Sequence, residues 1–162
     1  MELWDAYDKD FNKIDGMTLV RGKEKNIPSG VYHLICGILV RHVDGTILIT
    51  KRDKKKIHGG MWEATCGGSA ILGETPYECA FRELYEETGI KGLNLTEIEK
   101  IFSEEGHCIF VGFLCVTDCN KNSITLQKGE TCDYRWINHN ELISMGKDKL
   151  LTEWILKFVH FF

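Results

Sequence analysis

The sequence predicts a mixed α/β domain, and three observations carry that expectation. A capped helix is written between Thr75 and Gly89. Apolar, β-branched runs at 31–43 and 46–50 flank an Asp44-Gly45 turn signal, and strand-like runs recur at 95–103, 108–117 and 132–137. Near the end, Leu150, Leu151, Trp154, Ile155, Phe158 and Val159 fall at helical spacing.

The helix at 76–88 is the most completely specified element. Thr75 suits the cap, Pro76 the first helical position, and Glu78 completes a capping box. Gly89 suits the left-handed residue that closes a helix. Tyr77, Ala80, Phe81, Leu84 and Thr88 share one stripe, and Glu83, Glu86 and Glu87 share another. Like charges at that spacing cost roughly 0.2–0.5 kcal/mol per pair. A solvated acidic face tolerates this; a hard divalent cation would relieve it, and Arg82 supplies part of the balance.

The spacing Gly68-x5-Glu74-x7-Arg82-Glu83-Leu84-x-Glu86-Glu87-x-Gly89-Ile90 resembles the signature of the Nudix hydrolase family, without a gap or a substitution. That resemblance implies an α/β/α sandwich with a mixed central sheet, the box at 68–90 forming a loop and helix. It implies cleavage of a nucleoside diphosphate linked to another moiety, with Mg²⁺ or Mn²⁺ as cofactor. It also implies that Glu83, Glu86 and Glu87 hold the metals and that Arg82 and Glu74 order the loop and helix. The Gly67 carbonyl would add a metal ligand, and Glu130 matches a loop glutamate that approaches the metals in many relatives.

At 162 residues the chain is expected to form one domain, 1–162. Its 43% hydrophobic and 27% charged content is that of an ordinary globule. A net charge of −4 argues against general nucleic-acid affinity, but not against a small phosphorylated, nucleotide-derived substrate. The acidic start Met1–Asp5 carries no leader signal, so the seven cysteines are expected as free thiols in a reducing cytoplasm. No CxxC pair occurs, and Cys115-x3-Cys119 lacks partners at zinc-finger spacing. No apolar run is long enough to span a membrane.

Residues 1–30 read as a hairpin-like extension. Asp8-Lys9-Asp10-Phe11-Asn12 has a calcium-loop look, but Lys13 stands where glycine is required and no glutamate closes the loop, so a polar turn is expected. Asp15-Gly16 is read as the hairpin turn, with a returning strand at 17–20. Trp4-Asp5-x-Tyr7-Asp8, Arg21-Gly22 and Pro28-x-Gly30-x-Tyr32-His33 resemble the opening of the Nudix subgroup near isopentenyl-diphosphate isomerase. By that resemblance His33 faces the active site; the alternative is a hydrogen-bonded strand histidine.

Lys51, Arg52, Lys54, Lys55 and Lys56 precede the box. Such runs are usually solvated, but Lys51 and Arg52 at a strand end are candidate phosphate contacts, Arg52 the better because a guanidinium grips with two prongs. Trp62 packs under the box or stacks on a base. Gly67 and Gly68 leave the backbone bare for close approach. Glu141 starts a short helix, and a helix at 149–162 docks on the core. Phe161 and Phe162 leave monomer and homodimer both open.

Phosphoanhydride hydrolysis needs charge neutralisation and an oriented water more than covalent chemistry. On this reading Glu86 and Glu87 are primary metal ligands, Glu83 completes the set, Arg82 pairs within the box, and Glu87 or Glu130 takes the proton from water. An isopentenyl-diphosphate isomerase is the alternative enzyme, since Trp62 and Asp133-Tyr134-x-Trp136 also resemble it. Against it, Gly67 stands where those enzymes place a reactive cysteine and Ser69 where they place a metal-binding histidine. Cys66, one residue away, is expected on the other side of a strand. A nucleotide sensor without turnover is the third reading, although no hydrolytic residue is missing.

Overall fold

A computed structural model describes residues 1–91, 94–146 and 149–151. The helix expected at 149–162, with Phe161 and Phe162, lies almost wholly outside the described residues.

The chain opens with an antiparallel hairpin, β1 (Leu3–Tyr7) and β2 (Lys13–Val20), in which Leu3 faces Val20. Its turn is at Asp8–Asn12, not at Asp15-Gly16. The Asp8 carboxylate accepts the Asp10 and Asn12 N–H groups at 2.8 and 2.9 Å, closing the reversal locally. Gly16 instead sits inside β2 with φ +74°, a strand irregularity. The inner face of the hairpin buries Trp4, Ala6 and Leu19 on Ile27 and Val31.

The main sheet follows with β3 (His33–His42), β4 (Ile47–Arg52), β5 (Trp62–Glu63) and β6 (Thr65–Ser69). After helix α1 (Pro76–Thr88) come β7 (Leu95–Ser103), β8 (Cys108–Thr117), β9 (Thr131–Ile137) and helix α2 (His139–Ser144). Among the described residues, seven strands form one mixed sheet in the order β5-β4-β3-β8-β7, with β6 also on β3 and β9 also on β4. β3 and β8 are, among the described residues, the only strands of this sheet that pair in parallel, in register from His33–Cys108 to His42–Thr117. β7 lies at one side of the sheet, bonded among the described residues to β8, with a register irregularity between Glu97 and Glu99.

Strand alternation gives each face its own core. Leu34, Cys36, Ile38 and Val40 of β3 pack with Cys79, Ala80 and Leu84 of α1. Leu39 belongs to the other face, with Ile47, Ile49, Trp62, Ala64, Ile137, Leu142 and Leu150 beside α2. The layers are therefore helix, mixed sheet, helix.

Helix α1 begins and ends where its caps predict. The Glu78 N–H donates to the Thr75 hydroxyl, the Thr75 N–H donates back to Glu78 Oε2, and Gly89 closes at φ +73°. The buried stripe is shifted from the expected one. Cys79 joins Ala80, Leu84 and Thr88, whereas Tyr77 stays 44% exposed and meets Phe81 and Phe113 at the rim. Helix α2 starts two residues earlier than expected because Asn138 caps it, and Glu141 serves as its capping-box partner.

One feature of the sheet makes the site. β3 and β4 pair at Arg41–Ile47, next to their turn, and then diverge. Beyond that point β3 takes β6 as neighbour and β4 takes β9 and β5. The strands part and leave a cleft floored by Ile35 and Gly37 and walled by Arg52, Glu63 and Thr65. Among the described residues no helix is long and apolar enough to cross a membrane, and all seven cysteines are free.

Candidate active site

The cleft has two connected lobes of about 220 and 260 Å³ that share Arg21, Gly67, Glu87 and Glu130. The first lobe is lined by Glu83, Glu86 and Glu87 from the acidic face of α1, with Arg82, Gln127, Glu2 and residues 67–69. Arg82 organises that face. Its Nε and one terminal nitrogen hold the Glu74 carboxylate in two-pronged fashion at 2.7 and 2.9 Å. The other terminal nitrogen reaches Glu83 at 2.6 Å and Glu86 at 3.3 Å, and the Ser69 carbonyl accepts at 3.1 Å. The loop before α1 is thus tied to the helix through a single guanidinium.

β6 approaches both β3 and the helix closely because its glycines allow it. A Cβ on Gly67, at φ +153°, would lie 2.0 Å from the Cys36 carbonyl oxygen, and one on Gly68 would lie 2.5 Å from Glu83 Oε1. That proximity lets the Gly67 N–H donate to Glu87 at 3.1 Å. Burial, followed by repulsion from Glu83, pushes the Glu87 carboxyl up to about 8, against the help of that N–H. Burial also raises Glu83, which Arg82 only partly counters. Glu74 runs the other way: burial opposes ionisation, but the Arg82 bonds and the Ile71 N–H outweigh it and hold the carboxyl below its usual range.

The second lobe is where cations gather. Arg52 binds Glu63 at 2.6 Å and the Ile57 carbonyl at 2.9 Å, and Lys56 binds Glu130 at 2.7 Å. Arg52 and Glu130 therefore meet the box residues across one cleft. Lys51 and Trp62 do not. They lie on the opposite face of the sheet, where Trp62, 8% exposed, packs with Ile49 and Ile137 and has both the Lys51 ammonium and the Arg135 guanidinium over its ring. Alternation along β4 separates Lys51 from Arg52, so only one of the pair can face the cleft. His33 also lies away from it: 4% exposed, it stacks on Trp4 at 4.2 Å, and burial lowers it to about 4, leaving it neutral. In place of Lys51, the structure brings Lys56, from the loop after β4, into the cleft.

The sequence assigned no site role to two cleft residues, although Arg21 stands in the Arg21-Gly22 pair that resembles the isomerase-like subgroup. Arg21 follows β2 and lines both lobes, held at 2.9 Å by Glu2 from the start of the chain. Phe110 of β8, opposite Ile35, adds an aromatic ring to the floor of the second lobe. Both depend on pairings between distant segments.

The family description that fits this chain is the NUDIX domain, over residues 31–162. The chain belongs to the Nudix family. It is 36% identical over 147 residues to an uncharacterised Nudix hydrolase of Listeria monocytogenes, covering 88% of this chain and 83% of that protein. It is also 29% identical over 128 residues to an isopentenyl-diphosphate Delta-isomerase of Salmonella heidelberg, covering 75% of this chain and 69% of the isomerase. Among solved structures, the NUDIX domain of Shewanella oneidensis NrtR, complexed with ADP ribose, superimposes with a TM-score of 0.64 at 13% identity, covering 88% of this chain and 97% of that one.

As a Nudix hydrolase the chain comes from a family that generally uses divalent metal ions. Its first lobe suits one. Five carboxylates, Glu2, Glu83, Glu86, Glu87 and Glu130, face the guanidinium groups of Arg21 and Arg82, and the buried members resist ionisation without further positive charge. The donors are oxygens, as a hard divalent cation prefers. Among the described residues no three such side chains already converge as a ligand set, because Arg82 engages Glu83 and Glu86 while the Gly67 N–H engages Glu87. In this Nudix chain the Cys66 thiol is 4% exposed, directed at the Ile38 carbonyl, and raised well above its usual range by burial. A thiol so placed is a poor acid–base or nucleophilic group.

Proposed function

We propose that this Nudix hydrolase cleaves a phosphoanhydride bond in a nucleotide-derived substrate, a nucleoside diphosphate linked to another moiety. Mg²⁺ or Mn²⁺ would be held by Glu83, Glu86, Glu87 and the Gly67 carbonyl. The observation that supports this best is the opposition within one cleft of an acidic helix face and the cations Arg21, Arg52 and Lys56. The metal, when bound, neutralises phosphate charge and acidifies water.

The chain's own residues then have distinct tasks. Arg82 keeps Glu74 and the acidic face in register. Arg21 and Arg52 are placed to grip phosphate oxygens with planar forks, each exchanging a carboxylate partner for substrate. Glu87 and Glu130, which line both lobes, are the cleft carboxylates placed to take the proton from water. Lys51, Trp62 and His33 have no part in this reading, because they lie outside the cleft.

The test is a panel of nucleoside di- and triphosphates, nucleotide sugars and ADP ribose, with Mg²⁺ or Mn²⁺ and detection of phosphate or monophosphate release. ADP ribose is included because the Shewanella domain carries it. Metal-dependent release from at least one compound is expected, with Glu86→Gln lowering it by roughly 10²-fold or more at an unchanged melting temperature. Tight binding without release would favour a sensor. Isopentenyl diphosphate belongs in the panel, and formation of its dimethylallyl isomer would replace this reading with the isomerase.

A further inference from the structure

We infer that Asp5, in the amino-terminal hairpin and outside the region matched to the family, is a positioning residue for the loop that carries Glu74. What it positions rests on the hydrolase reading; that it holds the loop does not.

The Asp5 carboxylate is 5% exposed and divides its oxygens between two partners. Oδ1 takes the Lys13 ammonium at 2.7 Å, across the hairpin. Oδ2 accepts the Gly73 N–H at 2.8 Å, across to the loop before α1. Beside it the Leu72 N–H donates to the Leu3 carbonyl at 2.8 Å, so two successive loop amides end on β1. A carboxylate is costly to bury, and a bond to Lys13 alone would serve the hairpin. The second oxygen serves the loop.

From Gly73 the connection to the acidic face is continuous. The Glu74 N–H donates to the Ile71 carbonyl at 3.0 Å, and the Ile71 N–H donates to Glu74 Oε2 at 3.0 Å, closing a tight reversal. Gly73 makes that reversal possible at φ +90°. Glu74 then holds Arg82, which holds Glu83 and Glu86. Asp5 therefore fixes the far end of the chain of contacts that orients the metal-facing carboxylates. Orientation of such groups before binding lowers the cost of assembling the site.

Four variants of the full chain separate the loop contact from the charge pair. D5N retains an oxygen for the Gly73 N–H and loses the charge; D5E retains the charge and displaces the oxygen by a methylene. D5A removes both, and K13M removes only the hairpin partner. Amide hydrogen exchange at residues 71–74 and the Mg²⁺ concentration giving half of the metal-induced rise in melting temperature are measured without substrate. D5A and D5E should each lose about tenfold in exchange protection, the size of one hydrogen bond, and require several-fold more Mg²⁺. D5N and K13M should stay within about twofold of the unaltered chain on both readouts. If D5A does not fold, the contrast between D5E and D5N decides the matter. Loop protection and Mg²⁺ response unchanged in D5E, or lost equally in D5N and K13M, would overturn the inference. A chain that hydrolyses nothing in the panel would count against the proposed reaction and leave these two readouts standing.

Discussion

Glu87 sits against the Gly67 N–H with Glu83, Glu63 and Glu130 as its acidic surroundings, and its carboxyl is pushed up to about 8 from an ordinary 4.5. In the absence of metal, the folded chain therefore holds a proton there that the unfolded chain has released. Stability from this group is complete below about pH 4.5 and is lost as pH rises through about 8. In EDTA the melting temperature should accordingly fall by several degrees between pH 5.5 and 8.5, at roughly 2–4 °C per kcal/mol for a chain of this size. Glu87→Gln, which cannot ionise, should flatten that decline, and Mg²⁺ should reverse it in the unaltered chain only. A decline of equal steepness in Glu87→Gln, followed by calorimetry, would show that another group is responsible.

Among the elements, β6 makes the sharpest contrast between folding and function. A methyl group on Gly67 would meet backbone, the Cys36 carbonyl oxygen at 2.0 Å, whereas one on Gly68 would meet the Glu83 carboxylate at 2.5 Å. Gly67→Ala should therefore destabilise by about 3 kcal/mol or more in urea unfolding. Gly68→Ala should keep most of its stability, because a side-chain end can move, yet displace Glu83 and raise the Mg²⁺ requirement about tenfold. Helix α1 was legible in the sequence because its caps are local: Thr75, Pro76, Glu78 and Gly89 act on neighbours in the chain. The strands at 95–103 and 108–117 were legible for the same reason. The side on which Lys51 and Trp62 would fall was not, since it depends on how β4 aligns with β5 and β9. Nor was the hairpin turn, where two aspartate-bound amides outcompeted an Asp-Gly pair.

At the scale of the whole molecule, the cleft exists because β3 and β4 separate after one paired position, and its walls come from residues as far apart as Glu2 and Glu130. The Arg21-Gly22 pair carried a resemblance, but no local pattern placed Arg21 in the cleft. Its ion pair with Glu2 is exposed, 60% and 32% for the two side chains, and pairs of that kind add little to stability. Arg21→Ala should thus leave the melting temperature within about 1 °C while raising KM for the best substrate of the panel about tenfold, with kcat changed less. An unchanged KM would remove Arg21 from the phosphate contacts. β7 bears on a different matter. Its register slips between Glu97 and Glu99, and Glu97 pairs with Lys100 at 3.1 Å on the same strand. A kinked, charged margin is a poor template for another chain to extend. As far as the described residues go, crowded copies of this protein have little means of knitting their sheets into a fibre along β7.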